Sequence, residues 1–285
     1  MESTDTRWVI TGAGGMLATD LLDALRARGA AVSALSRAEL DITDADAART
    51  AIAPESVVVN CAAYTAVDAA EDDREAAEQA NAVGPGVLAR ACAERGARLV
   101  HISTDYVFDG AATTPYPEDA PLAPRGVYGA TKAAGEEAVR ASGADALIVR
   151  TAWLYGAHGR CFPKTIARAG RERGALTVVS DQIGQPTWTR DVAGFVIALI
   201  EAEAPAGTYH GTSSGQASWF EFAREVCASA GLGDIVAPVS SSEYPQRAPR
   251  PAWSVLGHAA NEAVGVPSIG HWLERWRLAA PEVLA

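Results

Sequence analysis

The chain has 285 residues, 48% of them hydrophobic and 21% charged, with a formal net charge of -11. That balance suits a globular protein whose length supports a buried core, in one large domain or two smaller ones. No basic stripe runs along any segment, which argues against a nucleic-acid binder, and no apolar run approaches the roughly 20 residues that span a bilayer.

The first five or so residues carry no pattern and are expected to be disordered. "MESTDTRWVITG" lacks the charged-then-apolar signature of a leader, so the expected compartment is the cytoplasm. "WVIT" (8–11) predicts a buried strand. A glycine turn follows, then "MLATDLLDALRARG", whose apolar residues recur at helical spacing up to Gly29. Further strands are predicted at 30–35, 57–60, 98–103 and 146–153, with a long helical stretch over about 70–95. This alternation predicts an α/β fold, a Rossmann-type doubly wound parallel sheet with helices on both faces. Past about 155 the pattern loosens. "GTYHGTSSGQASWFEFAREVCASAGLG" reads as strand, turn and helix, and "APVSSSEYPQRAPRPAWS" as loop. The expected division is a dinucleotide-binding domain over 1–155 plus about 181–204, and a smaller α/β C-terminal substrate lobe over about 156–180 and 205–285.

Cys61, Cys92, Cys161 and Cys227 form no CxxC pair and read as reduced, mostly buried thiols. The five histidines show no metal-ligand spacing and there is no GxSxG elbow, so a hydrolase is disfavoured. His101 lies inside a strand and reads as a core residue; His158, in a loop, is a lesser ligand candidate. Trp272 and Trp276 read as one apolar helix face, in the core or at a subunit contact.

In "VITGAGGMLATDLL" Gly12 and Gly15 fall between strand and helix, with Ala18 at the third small position. Glycines there let the backbone approach a pyrophosphate, while the helix N-terminus offers N–H donors. The second strand runs into "ALSRAELD". Where an acidic residue would bond a ribose 2′-hydroxyl, this chain has Ser36 and Arg37, and an arginine suits a 2′-phosphate. NADPH is therefore the expected cofactor, with NADH as a weaker substitute.

Of 24 lysines and arginines only two are lysines, Lys132 and Lys164. Lys132 stands four residues after Tyr128, on the same face if a helix starts near Val127. A phenol with a pKa of about 10 exchanges protons poorly at neutral pH, and a neighbouring ammonium is expected to lower it. The pair falls between the fourth and fifth strands, near the carboxyl ends where such sheets bind ligands. Thr104 ends the fourth strand; its hydroxyl can bond a reacting carbonyl oxygen, or can simply cap the strand end. Trp153 follows the fifth strand and is a candidate for stacking on a ligand.

These glycines, the strand-end Ser/Thr and the Tyr-x-x-x-Lys pair resemble the extended short-chain dehydrogenase/reductases. More narrowly, six strings resemble the dTDP-4-dehydrorhamnose reductase family, in that family's order and over almost the whole chain. They are "NCAAYTAVDAAE" (60–71), "STDYVFDG" (103–110), "YGATKAAGE" (128–136), "IVRTAWLYG" (148–156), "DQIGQPTW" (181–188) and "RPAWSVL" (250–256). The resemblance implies hydride delivery from NADPH to C4 of a dTDP-4-keto-6-deoxyhexose. It implies catalytic roles for Thr104, Tyr128 and Lys132, with Tyr128 as general acid. Lys132 would lower the Tyr128 pKa and hold the nicotinamide ribose. Gly12, Gly15, Met16 and Leu17 would lie under the pyrophosphate, Asp41 and Ile42 beside the adenine, and Ala62, Ala63 and Tyr64 along the cofactor cleft. Asp105, Tyr106 and Trp153 would contact the sugar, with Gln182 and Arg250 as further candidates for the nucleotide-sugar lobe.

Two segments depart from the family's text. The Asn-rich sequence after "YG" is replaced by "GAHGRCFPK", and "RPxNS" reads "RPAWS", with Trp253. Both lie on the substrate side, so the alternative is a 4-ketoreductase for a different dTDP-deoxysugar of specialised metabolism. A non-catalytic regulatory subunit of the same fold is a remoter alternative. Some family members hold a divalent metal between subunits; the corresponding positions here are Gly14 or Gly15 and the neighbourhood of Arg190, so no metal site is expected. The expected partner is the dTDP-sugar, with no nucleic acid and no membrane. A homodimer and the C4 stereochemistry both stay open.

Overall fold

Six short β-rich runs pair into one parallel sheet in this computed structural model, which describes residues 6–285. The opening five residues, expected to be disordered, lie outside the described range. The strands are β1 (Arg7–Thr11), β2 (Ala31–Leu35), β3 (Val57–Asn60), β4 (Arg98–Thr104), β5 (Ala146–Thr151) and β6 (Gly207–His210), in the spatial order β6-β5-β4-β3-β1-β2. The main helices are α1 (Met16–Ala27), α2 (Ala45–Ala51), α3 (Gly84–Arg95), α4 (Val127–Ala141), α5 (Phe162–Arg173), α6 (Thr189–Glu201), α7 (Trp219–Ser229) and α8 (Trp272–Val283).

A parallel sheet is covered on both faces, so its strands are apolar on both sides. Trp8, Ile10, Val57, Val59 and Leu147 pack into one core with residues of α1 and α6. Val9, Val58, Leu99 and Ile148 pack into the other with residues of α2, α3 and α4. A separate cluster, with Tyr155, Trp188, Phe222, Trp272 and Trp276, holds the C-terminal lobe. Trp276 is fully buried there and donates its indole N–H to Ser229 Oγ at 3.1 Å, so the Trp272–Trp276 face is core.

Three segments differ from the sequence expectation. The 70–95 stretch is helical as expected from Arg74 to Arg95, but it follows a break at 71–73 and is not a regular α-helix throughout. Asp73 caps a short turn at Arg74–Glu78, a wider i→i+5 turn spans Gln79–Val83, and α3 starts at Gly84 with Pro85 in its first turn. The wide turn carries Asn81, whose side chain bonds Tyr64 N and O and Thr131 Oγ1, tying the loop after β3 to α4. The segment expected as loop from 237 begins as strand, because Val236–Val239 pairs with Leu176–Val179; Pro238 is tolerated in so small, edge-only a sheet. Lastly β6 pairs with β5, so the central sheet runs past the domain boundary expected at about 204.

Helix α4 carries Tyr128 and Lys132, and its seat is set by glycines and one carboxylate. A Cβ at Gly129 would collide with the Tyr106 carbonyl, and one at Gly135 with the Asn81 carbonyl, so both glycines let the helix rest on backbone. One turn past Lys132, Glu136 is fully buried. It accepts hydrogen bonds from Ser103 Oγ at 2.6 Å, from Arg150 Nε and Nη2 at 2.9 and 2.8 Å, and from Arg140 Nη2 at 2.8 Å. Helix α4 is thereby fastened to β4 and β5 at once. Burial alone would raise the Glu136 carboxyl, but Arg150, with Ser103 and Arg140, holds it below its ordinary value. Glu136→Ala strands the buried Arg150 guanidinium and is expected to cost roughly 3–5 kcal/mol of stability, read by chemical denaturation. A loss below about 1 kcal/mol, the range of an exposed pair, would show that the clamp does not hold the helix.

Candidate active site

A cleft of about 1190 Å³ opens at the carboxyl ends of the central strands. It lies where the strand order reverses, between β1 and β3, the usual ligand position in a doubly wound sheet. Gly12 leaves β1 with φ +74°, and a Cβ there would come within 2.7–2.9 Å of backbone atoms of Cys61 and Ala62. Both the left-handed backbone and the close approach require glycine. Gly15 caps the 12-residue helix α1 without a side-chain bond, and no acidic residue occupies the first turn. Gly12, Gly15, Met16 and Leu17 line the cleft, so the uncapped helix start, with its free N–H donors, opens on it.

Arg37, Asp41, Ile42, Ala62, Ala63 and Tyr64 line the same cleft. Bonds from Thr43 N and Oγ1, at 3.0 and 2.7 Å, hold the Asp41 carboxyl below its ordinary value. Ser36 does not reach the cleft lining. Its N–H and hydroxyl both donate to Glu39, at 2.8 and 2.7 Å, so only the arginine of the Ser36–Arg37 pair is brought to the site.

Thr104, Tyr128 and Lys132 meet in the cleft wall. Of the two roles expected of Thr104, the structure shows the cap. Its oxygen accepts from Tyr106 N at 3.3 Å as a cap, and its hydroxyl donates to Asp105 Oδ1 at 3.0 Å. Thr104 also shares the cleft wall with the Tyr128 phenol and acts on its proton affinity. Burial pushes the phenol up to about 12; Thr104 opposes the rise and the Asp105 charge adds to it. The expected lowering of Tyr128 by Lys132 is not found. The lysine amine is instead bonded to Ile102 O at 2.6 Å, and burial drives its own value down to about 8 against Glu136 and Cys61. Desolvation, which spacing does not report, outweighs the pairing. Burial also lifts Asp105 to about 6; its Oδ2 and the neighbouring Ser254 Oγ both lack a completed hydrogen bond. Tyr106 meets Tyr128 edge-on, with ring centroids 5.5 Å apart.

The substrate side is partly unforeseen. Trp153 has φ +46° and lines the cleft. Its indole stacks on Trp219 with centroids 3.5 Å apart and planes 5° apart. A Cβ at Gly184 would press on three adjacent atoms of the same indole, which puts Gly184 against its other face. Trp153 therefore offers the cleft an edge and not a stacking face. Trp219 and Phe162 also line the cleft and were not singled out from the sequence. Each sits in the first turn of a helix with a legible start, the Ser218/Glu221 capping box and Pro163, but nothing local says which way those turns face. Gln182 is buried outside the cleft lining. Arg250 also stands outside the lining. Its Nη2 pairs with Asp68 at 2.7 Å, its charge acts on Tyr106, and its Nη1 is buried without a partner. His158 lies 3.6 Å from Asp20, away from the lining, and His101 is fully buried.

Glycine turn, open helix start and Arg37 fit a dinucleotide carrying a ribose phosphate, and the Tyr128–Lys132 pair shares their cleft. Fold and site together define an oxidoreductase of the extended short-chain dehydrogenase/reductase class. Within it, the chain belongs to the family described as RmlD substrate binding domain, which matches residues 6–285. It is 47% identical over 274 residues to a dTDP-4-dehydrorhamnose reductase of Streptomyces griseus, covering 93% of this chain and 90% of the other. It is 45% identical over 284 residues to a Streptomyces antibioticus protein described as a probable dTDP-4,6-dihydroxy-2-methyloxan-3-one 4-ketoreductase, covering 98% and 96%. A crystal structure of dTDP-4-dehydrorhamnose reductase from Bacillus anthracis, in complex with NADP, matches with a TM-score of 0.93 at 38% identity, covering 97% and 99%.

The Gly12 geometry makes a direct prediction. Gly12→Ala forces a side chain into a left-handed turn against backbone, and strain of about 1–3 kcal/mol should weaken NADPH binding roughly tenfold or more by calorimetry. Unchanged affinity would remove this turn from the cofactor site.

Proposed function

We propose that the protein is an NADPH-dependent reductase of the C4 carbonyl of a dTDP-4-keto-6-deoxyhexose, with dTDP-4-dehydrorhamnose as substrate and dTDP-L-rhamnose as product. The observation that carries this reading is a protonated Tyr128 phenol, beside the strand-end Thr104 and Lys132, in the same cleft as a dinucleotide cradle.

Bound NADPH supplies the hydride. The protein's own groups handle the proton. Tyr128 donates it to the carbonyl oxygen, and Thr104 turns its hydroxyl from Asp105 to bond that oxygen. The high Tyr128 value suits this direction of reaction, because the acid is fully protonated at neutral pH. Lys132 holds the nicotinamide ribose and, as ammonium, stabilises the phenolate that remains. Arg37 takes the 2′-phosphate and the start of α1 the pyrophosphate. Asp105 and Tyr106 serve the sugar, with the Trp153–Trp219 stack and Phe162 excluding water beside it. In this scheme the central sheet with α1–α4 binds the dinucleotide, and the lobe packed around Phe222 and Trp276 receives the nucleotide sugar. No helix among the described residues is long and apolar enough to cross a membrane, which fits a cytoplasmic enzyme of small soluble metabolites.

The Streptomyces antibioticus relative favours a second reading, in which the same site reduces another dTDP-4-keto sugar. Product identification by NMR separates the two. NADPH is incubated with dTDP-4-keto-6-deoxyglucose, with and without a 3,5-epimerase. Rhamnose formed only with the epimerase supports the first reading, and a reduced sugar formed without it supports the second. No NADPH oxidation in either case would sink both.

Two variants test the assignments. Tyr128→Phe should lower kcat by roughly 10²–10⁴-fold while cofactor affinity stays near wild type. Arg37→Ala, losing charge-assisted bonds worth about 1.5–3 kcal/mol, should raise KM for NADPH by roughly 10- to 100-fold and leave that for NADH nearly unchanged.

A further inference from the structure

Lys132 also meets a buried polar chain that the reductase reading leaves unused. Thr11 Oγ1 donates to Asn60 Oδ1 at 2.7 Å, and the backbone N–H of Ala62 donates to the same atom at 3.2 Å. A backbone N–H can only donate, so that Asn60 atom is the carbonyl oxygen and the other is the amide nitrogen. The amide nitrogen stands 3.1 Å from His101 Nδ1. It too can only donate, so Nδ1 holds a lone pair. His101 has no exposure to water, and burial, with the charges of Lys132 and Arg140, drives its value far down. The ring is neutral, and a neutral ring with a bare Nδ1 carries its proton on Nε2. Nε2 lies 3.5 Å from Lys132 Nζ. A fixed N–H therefore faces the amine.

An ammonium cannot accept that N–H, whereas a neutral amine can. The bond from Nζ to Ile102 O is open to either form. The other groups acting on the amine are Glu136, one turn on, and Cys61, at the exit of β3; both favour the ammonium. Glu136 is already engaged by Ser103, Arg140 and Arg150, and the Cys61 thiol, pushed up to about 12 by burial, keeps its proton. Tyr128, one turn back, keeps its proton as well.

We propose that His101 is a positioning residue for Lys132: locked by Asn60 as the Nε2–H tautomer, it holds an N–H against the amine, favours the neutral form and so readies Lys132 to give up a proton. Its use in turnover rests on the reductase reading. After Tyr128 protonates the carbonyl oxygen, its phenolate must be reprotonated. Lys132 Nζ loses one proton, Tyr128 Oη gains one, and solvent returns a proton to the amine. The His101 N–H accommodates the neutral amine between the two transfers.

The test uses the unliganded full chain and needs no turnover. Long-range ¹H–¹⁵N spectra of ¹⁵N-histidine-labelled protein should show His101 with a bare Nδ1 and a protonated Nε2. A protonated Nδ1 overturns the proposal. Because the chain has only two lysines, ¹³Cε-lysine labelling gives two titration curves, assigned with Lys164→Arg. The Lys132 midpoint should rise by about one pH unit in His101→Phe, which fills the space without an N–H. An unchanged midpoint in a variant with wild-type circular dichroism also overturns it. If that variant does not fold, the tautomer measurement on the native chain still decides. A protein that gives both expected NMR results but no turnover keeps this proposal and loses the reductase reading.

Discussion

Everything in the site depends on where helix α4 sits, and a carboxylate with no access to water fixes that seat. Burying Glu136 with Arg150 is costly unless every oxygen is used, because desolvation of both charges opposes folding. Here three partners from two strands and the helix itself complete the shell. The clamp also reaches the substrate side. The Arg150 guanidinium lies over the Phe108 ring, 4.9 Å from its centroid, and Phe108 directly follows the turn that carries Asp105 and Tyr106. One ion pair thus indexes the helix of Tyr128 and Lys132, the strand of Thr104 and the turn of Asp105 to one another. Such a pair is better read as a device for register than as a source of net stability.

Given that seat, burial sets the protonation states. Removing water penalises whichever form is charged, so the phenol rises and the amine falls. In the unliganded site the two move toward a neutral phenol and an amine that gives up its proton more readily, not toward phenolate and a firmly held ammonium. The spacing of Tyr128 and Lys132 suggests a charged pair because spacing carries Coulomb attraction and omits desolvation. For carbonyl reduction the neutral phenol is the useful state, since the acid must hold its proton until hydride arrives.

The legible parts of the chain were those in which one short segment carries both the local structure and its consequence. Strands β3 and β5 are β-branched runs apolar on both faces, and the Gly12 turn, Arg37, Thr104 and the Tyr128–Lys132 pair all stand at or near strand ends, where ligands are expected. Ser36 failed through a local competitor: Glu39, three residues on, captures both its N–H and its hydroxyl. Trp219 and Phe162 stayed hidden because they reach the cleft from helices far along the chain, and no periodicity encodes which lobe a first turn faces. The sixth strand was legible as a strand and not as a member of the central sheet, since "GTYH" says nothing about its neighbour. Asp41 and the Ala62–Tyr64 loop came from family resemblance alone; their own sequences carry no chemical signal.

The substrate wall follows a different logic from the catalytic wall. Trp153 leaves β5 in a left-handed conformation that costs of order 1–3 kcal/mol for a bulky residue. It is held there by contacts from elsewhere: Trp219 on one face, Gly184 on the other, and Phe162 against Trp219 with centroids 4.4 Å apart. Four separated segments therefore build one wall, and none of them contributes to the Glu136 clamp. A change in "GAHGRCFPK" can move Phe162, and with it the indole stack, without disturbing Tyr128, Thr104 or Lys132. Trp253 acts elsewhere, packed beside Val107 and Phe108 under the Asp105 turn, with its indole N–H buried and unpartnered. The Thr104–Tyr128–Lys132 wall is anchored to the sheet, while the Trp153 wall is assembled from separate segments of the C-terminal lobe and its loops.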